Sequence, residues 1–120
     1  MSTTAITQSN IQGAVDLWCL NDASATIIYG PINDWDVSGV TNMNELFKSK
    51  TTFNSVISNW NVSNVTTMEA MFSIAQAFNT DISGWNVSNV TTMEAMFNGA
   101  TAFNKDINNW QISSLTNMAS

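Results

Sequence analysis

Apolar residues follow one pattern that recurs at a fixed interval along most of the chain. Residues 60–72 and 85–97 have the same sequence, WNVSNVTTMEAMF, thirteen identical positions in a row. Residues 35–59 are a diverged copy, and residues 110–120 are the beginning of a fourth. The 25-residue period is marked by four tryptophans, Trp35, Trp60, Trp85 and Trp110. Self-similarity at such a period indicates a stack of repeated structural units.

Each unit begins with an apolar spacing that is typical of a strand. In the unit around Trp85 the apolar residues are Ile82, Trp85, Val87 and Val90, and the same spacing recurs in the other units. Alternation of aromatic and β-branched residues with polar ones predicts a short strand that has one buried face. We therefore expect one short strand in each repeat.

The next segment has the spacing of a helix. Met93, Met96, Phe97 and Ala100 fall at i, i+3, i+4 and i+7, which is one face of a helix about two turns long. Thr91 and Glu94 stand at its start in capping-box order, as do Thr66 and Glu69 in the unit before. A helix this short needs neighbours to hold it, so the units should stack as a solenoid with a continuous core.

Residues 1–31 do not follow the repeat, and we interpret them as a cap and lead-in. The stripe Ile11, Ala14, Val15 and Trp18 predicts a helix over 9–19, which begins with the capping-box pattern Ser9-Asn-Ile-Gln12. Residues 26–29 form an apolar, β-prone run. The predicted organisation is one domain, with a cap over 1–31 and a solenoid over 32–120.

Composition and charge exclude several classes of function. Nine Asp and Glu against three Lys give a net charge of −6, whereas a nucleic-acid binder needs a basic surface. The chain has no His, no Arg and one Cys, so it lacks the residues of familiar catalytic triads and zinc sites. No apolar run reaches the ~18 residues that cross a membrane, and the start does not read as a secretory signal. We expect a non-enzyme without a cofactor.

The repeat Ile-x-x-Trp-Asn-Val-Ser-Asn-Val-Thr-x-Met-x-x-Met-Phe-x-x-Ala-x-x-Phe-Asn-x-Asp resembles the BspA-like leucine-rich-repeat surface proteins in their 25-residue variant. The resemblance covers about residues 30–120. It implies a fold of the α/β class, a right-handed leucine-rich-repeat-like solenoid with one strand and one helix per repeat. By analogy it also implies adhesion or partner binding at a cell surface. The family brings no catalytic residues.

The predicted binding face consists of the residues between the inward ones on each strand. They are small, mostly uncharged and hydrogen-bonding, which suits a protein or glycan ligand. The candidates are Asp34, Asp36, Ser58, Asn59, Asn61, Ser63, Ser83, Asn86, Ser88, Asn108, Asn109 and Gln111. A merely solvated face is the plainer interpretation.

Other interpretations use other residues. A structural spacer would self-associate through an uncapped last coil, at the association edge Trp110, Ile112, Leu115 and Met118.

Asp81 and Asp106, one repeat apart, are weak candidates for Ca²⁺, although such residues commonly bond their own backbone in turns. The threonine pairs at 66–67 and 91–92 suggest ice binding as a remote alternative, although helix capping explains them and the first and fourth units have Thr-Asn instead. Glycosylation sequons begin at Asn61, Asn64, Asn86 and Asn89.

Overall fold

The computed structural model of the chain describes residues 3–108 and residue 110. Within this range the regular elements are α1 (Ile11–Leu20), α2 (Asp22–Tyr29) and a short 3-10 helix (Ile32–Asp34). The repeats themselves are built of turns. Isolated parallel bridges join Asn42 to Thr67 and Thr67 to Thr92, and the described residues contain no strand longer than these.

The predicted fold class, an α/β leucine-rich-repeat-like solenoid, is therefore wrong. Neither the strand nor the helix expected in each repeat is present in the described repeats. The Trp-x-Val segments have no regular secondary structure and lie between turns, and the Met-x-x-Met-Phe segments form successive tight turns instead of a helix. The interpretation of the cap needs correction too, because the β-prone run at 26–29 forms the end of α2.

The reason lies in how the Met-x-x-Met-Phe segment divides its backbone hydrogen bonds. In the second repeat (60–84), the N–H groups of Met71, Ser73 and Ala75 close turns onto carbonyls three residues back. The N–H groups between them, those of Phe72 and Ile74, donate to carbonyls of the third repeat (85–109) at 2.9 and 2.8 Å. The neighbouring repeat thus takes donors that a helix would have used within itself.

The same segment contains backbone conformations that interrupt a helix. Ala70 and Ile74 have φ of 53° and 60°, and Ala95 and Gly99 have φ of 58° and 78° at the equivalent positions one repeat later. A helix needs negative φ at every residue, and the left-handed region costs residues other than glycine roughly 1–2 kcal/mol. The bonds to adjacent repeats help to offset this cost, so the conformation depends on the stack.

The core is a set of columns in which each residue packs on its counterpart one repeat away. Trp35, Trp60 and Trp85 stack with ring centroids 6.2 and 6.4 Å apart. A second column contains Phe47, Phe72 and Phe97, and a third contains Phe53, Phe78 and Phe103. The predicted inward residues Ile, Trp, Val and Val are buried in all three repeats, as the 25-residue pattern indicates.

Polar side chains tie the repeats together at the same interval. The indole N–H of Trp60 donates to the carbonyl of Ile32, and those of Trp85 and Trp110 repeat this contact on the next repeats. Asn64 and Asn89 donate their side-chain amides at 2.7 Å to carbonyls of the preceding repeat. The abundance of asparagine is therefore in part a structural requirement of the stack.

The N-terminal segment closes the first repeat (35–59). Helix α1 lies where the apolar spacing predicts it, and it buries Ile11, Ala14 and Val15. The predicted capping box at its start is absent, because Asn10 is the N-cap and makes no side-chain cap bond. Lys50 of the first repeat forms an ion pair with Asp16 of α1 at 2.7 Å. The cap is thus fixed by both apolar and charged contacts.

Two glutamine side chains complete this closure, and we call them the glutamine lid. The amide oxygen of Gln8 accepts from the backbone N–H groups of Thr41 and Asn42 at 3.0 and 2.9 Å. Its amide nitrogen donates to the carbonyl of Asn42, and Gln12 donates to the carbonyl of Leu46 at 3.0 Å. The lid therefore supplies some of the hydrogen bonds that a preceding repeat would make.

Candidate functional site

The residues of the predicted binding face lie at the surface wherever the structure describes them. Ser63, Ser83 and Ser88 are half-buried, and the others in the described range are exposed. The exposed members are Asp34, Asp36, Ser58, Asn59, Asn61, Asn86 and Asn108. Asn109 and Gln111 lie outside the described residues. The face is carried by turns and not by the predicted strands.

One row of this face has a repeated local geometry, and we call Asp36, Asn61 and Asn86 the Asx column. In each, the side-chain Oδ1 accepts the backbone N–H two residues on, at 3.0 to 3.1 Å. This turn fixes the side chain against its own backbone, which is the usual reason for Asn and Asp at such positions. Since the repeats stack in register, the three side chains form a row.

The asparagines of the row have amide N–H groups with no partner in the described part of the chain. The Oδ1 atoms of Asn61 and Asn86 are occupied by the turn, whereas their Nδ2 groups donate to no atom of the described part of the chain. Asn64 and Asn89 differ, because their Nδ2 groups bind carbonyls of the preceding repeat. Of the four sequon asparagines, only Asn61 and Asn86 present a spare amide group within the described range.

The first member of the row carries a charge. Hydrogen bonds from the Ser38 hydroxyl at 2.6 Å and the Ser38 backbone N–H lower the pKa of Asp36 below its usual value, since both favour the ionised carboxylate. The row therefore presents a carboxylate at its N-terminal end and amide groups in the next two repeats.

The candidate calcium residues have turn geometry. The backbone N–H of Ser83 donates to Asp81 at 2.9 Å, and that of Asn108 donates to Asp106 at 2.8 Å. The bonds from Ser83 lower the pKa of Asp81. No group of three or more metal-ligating acids or cysteines occurs in the described range. The turns account for both aspartates.

Threonine hydroxyls serve the stack in a similar way. Those of Thr66 and Thr91 donate to the carbonyls of Thr41 and Thr66, one repeat earlier, at 3.2 and 3.1 Å. The capping boxes expected at these residues are absent, because no helix follows them in the described repeats. An inter-repeat bond explains these threonines without ice binding, which stays an untested alternative.

Two clefts were not predicted from the sequence. The first, of about 420 Å³, lies between the junction of α1 and α2 and the loop of the first repeat. Its half-buried Cys19 has a raised pKa, chiefly because burial disfavours the thiolate, so the thiol is not activated. The second, of about 430 Å³, is lined by Glu45, Glu69 and Glu94. The only sign of this second cleft in the sequence is that Glu69 and Glu94 occupy equivalent positions, one repeat apart.

The predicted association edge is described at one residue. Trp110 is 8% exposed and donates its indole N–H to the carbonyl of Ile82 at 3.0 Å, so it belongs to the core. Ile112, Leu115 and Met118 lie outside the described residues.

Comparison with known proteins gives a family. The profile of the family described as "Mycoplasma protein of unknown function, DUF285" matches residues 19–120, which is most of the chain and includes all of the repeats. The chain belongs to the DUF285 family. No curated protein and no solved structure matches it. Within the described part of this DUF285 chain, no helix is long and apolar enough to cross a membrane.

Proposed function

We propose that this DUF285 chain is a non-catalytic interaction module that binds a protein or glycan ligand on its Asn/Ser face. The observation that carries the proposal is the Asx column, in which exposed side chains are held in one orientation by their own turns. Binding then costs less side-chain entropy than it would for free asparagines.

The chemistry of the face suits a neutral polar ligand. Spare amide donors at Asn61 and Asn86 complement carbonyl or sugar hydroxyl oxygens, and repetition at one-repeat spacing allows several weak contacts to act together. The resemblance to BspA-like surface proteins supports an adhesive role at a cell surface. End-to-end association as a spacer stays a prediction, because most of its edge lies outside the described residues.

The test is a screen of the labelled chain against glycan and peptide arrays, followed by two double variants. Asn61→Lys with Asn86→Lys should abolish binding. Asn61→Asp with Asn86→Asp should keep the turns, because Asp36 and Asp81 make the same turns, and should lose binding through loss of the amide donors.

The matched control is Gln76→Glu, an equal change of amide to carboxylate at an exposed residue outside the column. It should bind as the parent does. Binding that survives in both double variants would remove the face from consideration, and arrays without a single ligand would count against the interaction module itself.

A further inference from the structure

Each of the two identical thirteen-residue stretches contains two glycosylation sequons, and the fold places these two sequons in different surroundings. Asn61 and Asn86 begin the first sequon of each stretch, and Asn64 and Asn89 begin the second. All four asparagines are exposed. Exposure alone therefore does not separate them as acceptors of a sugar. The difference lies in the contacts of their amide groups and of the hydroxyl groups in their sequons.

In the second sequon of each stretch, the stack occupies both the amide nitrogen and the hydroxyl. The Nδ2 of Asn64 donates to the carbonyl of Ser38 at 2.7 Å, and the hydroxyl of Thr66 donates to the carbonyl of Thr41 at 3.2 Å. Asn89 and the threonine of its sequon make the same two bonds one repeat later. A modifying enzyme reaches these sequons only after bonds between repeats have broken.

In the first sequon of each stretch, the amide nitrogen is free. The Nδ2 of Asn61 has no partner in the described part of the chain, although a neighbouring repeat lies on each side of it. Its freedom therefore follows from the repeat and not from its place in the stack. Within the same range, the Nδ2 of Asn86 is free as well, and neither Ser63 nor Ser88 uses its hydroxyl to bind another repeat.

The local turn also prepares these two amide groups for reaction. The backbone N–H groups of Ser63 and Ser88 donate to the Oδ1 atoms of Asn61 and Asn86 at 3.0 and 3.1 Å, and the Ser88 hydroxyl adds a bond at 2.7 Å. When an amide nitrogen gives up a proton, negative charge develops on the amide oxygen. Donors that are already in place at this oxygen stabilise that charge. Substitution at Nδ2 leaves Oδ1 bonded as before, so the modified side chain keeps the turn.

We propose that Asn61 and Asn86 of the folded chain are N-glycosylation sites, which accept a hexose from a nucleoside diphosphate sugar. The stack protects Asn64 and Asn89. In the transfer, Nδ2 attacks the anomeric carbon of the sugar and forms a C–N bond. The bond from that carbon to the phosphate oxygen breaks, the nucleoside diphosphate leaves with the bonding electrons, and a base of the transferase takes the amide proton.

This goes beyond the proposed function, because the partner is a modifying enzyme and the product is a covalent bond. It does not depend on whether the Asn/Ser face binds a ligand. A hexose on Asn61 and Asn86 would nevertheless occupy the amide nitrogens that such a ligand would use. Modification would therefore regulate the face by covering it.

The first experiment incubates the folded chain with UDP-glucose and a soluble transferase that acts on asparagine in Asn-x-Ser/Thr sequons. Digestion after glutamate separates the two stretches, and fragmentation in the mass spectrometer locates the hexose. Asn61 should carry at least about tenfold more hexose than Asn64, because modification of Asn64 requires two hydrogen bonds to break. A folded chain that gains no hexose, or gains it equally at both asparagines, would overturn the proposal.

The matched control is a synthetic peptide with the sequence of residues 55–72, which contains the same two sequons. A single repeat has no neighbour to bind, so the peptide lacks the contacts that protect Asn64 in the chain. The peptide should carry hexose at Asn64 at least as readily as at Asn61. If the peptide instead shows the preference of the folded chain, the sequence around the sequon makes the choice, and the proposal is overturned.

The first repeat allows a test by gain of a site. Ser38 donates its backbone N–H and its hydroxyl to Asp36 at 3.0 and 2.6 Å, as Ser88 does to Asn86. Asp36→Asn should therefore gain hexose at position 36. Asp36→Asn with Ser38→Ala should gain none there, and circular dichroism confirms that both variants are folded. Absence of hexose at position 36 in the single variant, with Asn61 modified as in the parent, would overturn the proposal.

Discussion

The first and third repeats have the same inward pattern and opposite surroundings. On the first repeat, α1 and the glutamine lid cover the side that faces away from the stack, and Phe47 is fully buried. On the third repeat, the equivalent Phe97 is half-buried and the N–H groups of Phe97 and Gly99 find no acceptor among the described residues. The two repeats therefore differ in what lies against them within the described range. Burial of an identical residue thus depends on its place in the stack.

The largest expected effect tests this dependence directly. Phe72→Ala should lower the free energy of unfolding by roughly 3–5 kcal/mol, because Phe72 is fully buried between two phenylalanines. Phe97→Ala, at the same position of the same thirteen-residue sequence, should cost only about 1–2 kcal/mol because its side chain is partly exposed. Urea unfolding followed by tryptophan fluorescence measures both. Equal losses would mean that the third repeat is as well covered as the second.

The lid gives the next largest effect. Gln8→Ala should lower the free energy of unfolding by about 1–3 kcal/mol, because it removes three hydrogen bonds to the backbone of the first repeat. The control Gln76→Ala, at an exposed position in the second repeat, should change it by less than about 0.5 kcal/mol. Urea unfolding compares the two variants, and equal values would show that the lid contributes no stability.

The smallest effect separates the charged end of the Asx column from its neutral members. The pKa of Asp36 is lower in the folded state than in the unfolded chain, so its stabilising contribution is fully present above the ordinary pKa of an unfolded aspartate. That contribution is lost as pH falls through the lower folded pKa. Asp36→Asn keeps the turn, as Asn61 and Asn86 do, and should reduce the loss of stability in acid.

Thermal unfolding between pH 2 and pH 6 measures this difference. Asp81, whose pKa is lowered by Ser83, is intact in both proteins, so the variant should keep part of the acid dependence. Identical profiles for parent and variant would show that the bonds from Ser38 do not favour the folded carboxylate.

Prediction from the sequence succeeded for those features that depend only on the spacing of apolar residues. The 25-residue period, the buried tryptophans and helix α1 all follow from apolar spacing, and the structure confirms them. It failed in the Met-x-x-Met-Phe segment, where apolar spacing fits a helix although the backbone forms turns. A helix and a series of tight turns can bury the same side chains at this spacing. The pattern of burial alone therefore does not distinguish a helix from turns.

The candidate face was predicted in part. Its exposed positions lie between the inward residues, as expected, but the roles of its asparagines are not separable from the sequence. Asn61 and Asn64 both lie in sequons of the same repeat, yet Asn61 makes a local turn and Asn64 bridges to the preceding repeat. Which amide stays available for a ligand depends on where the neighbouring backbone lies.

The sequence by itself determined the repeat length, the inward residues and the acidic, arginine-free composition, because these depend on residue type and spacing alone. The tertiary structure decided the backbone conformation of each repeat, because alternate N–H groups find acceptors in the adjacent repeat and not within the segment. It also decided that Phe97 is partly exposed whereas Phe72 is fully buried. Identical sequences cannot specify this difference, which arises from what lies on either side of them.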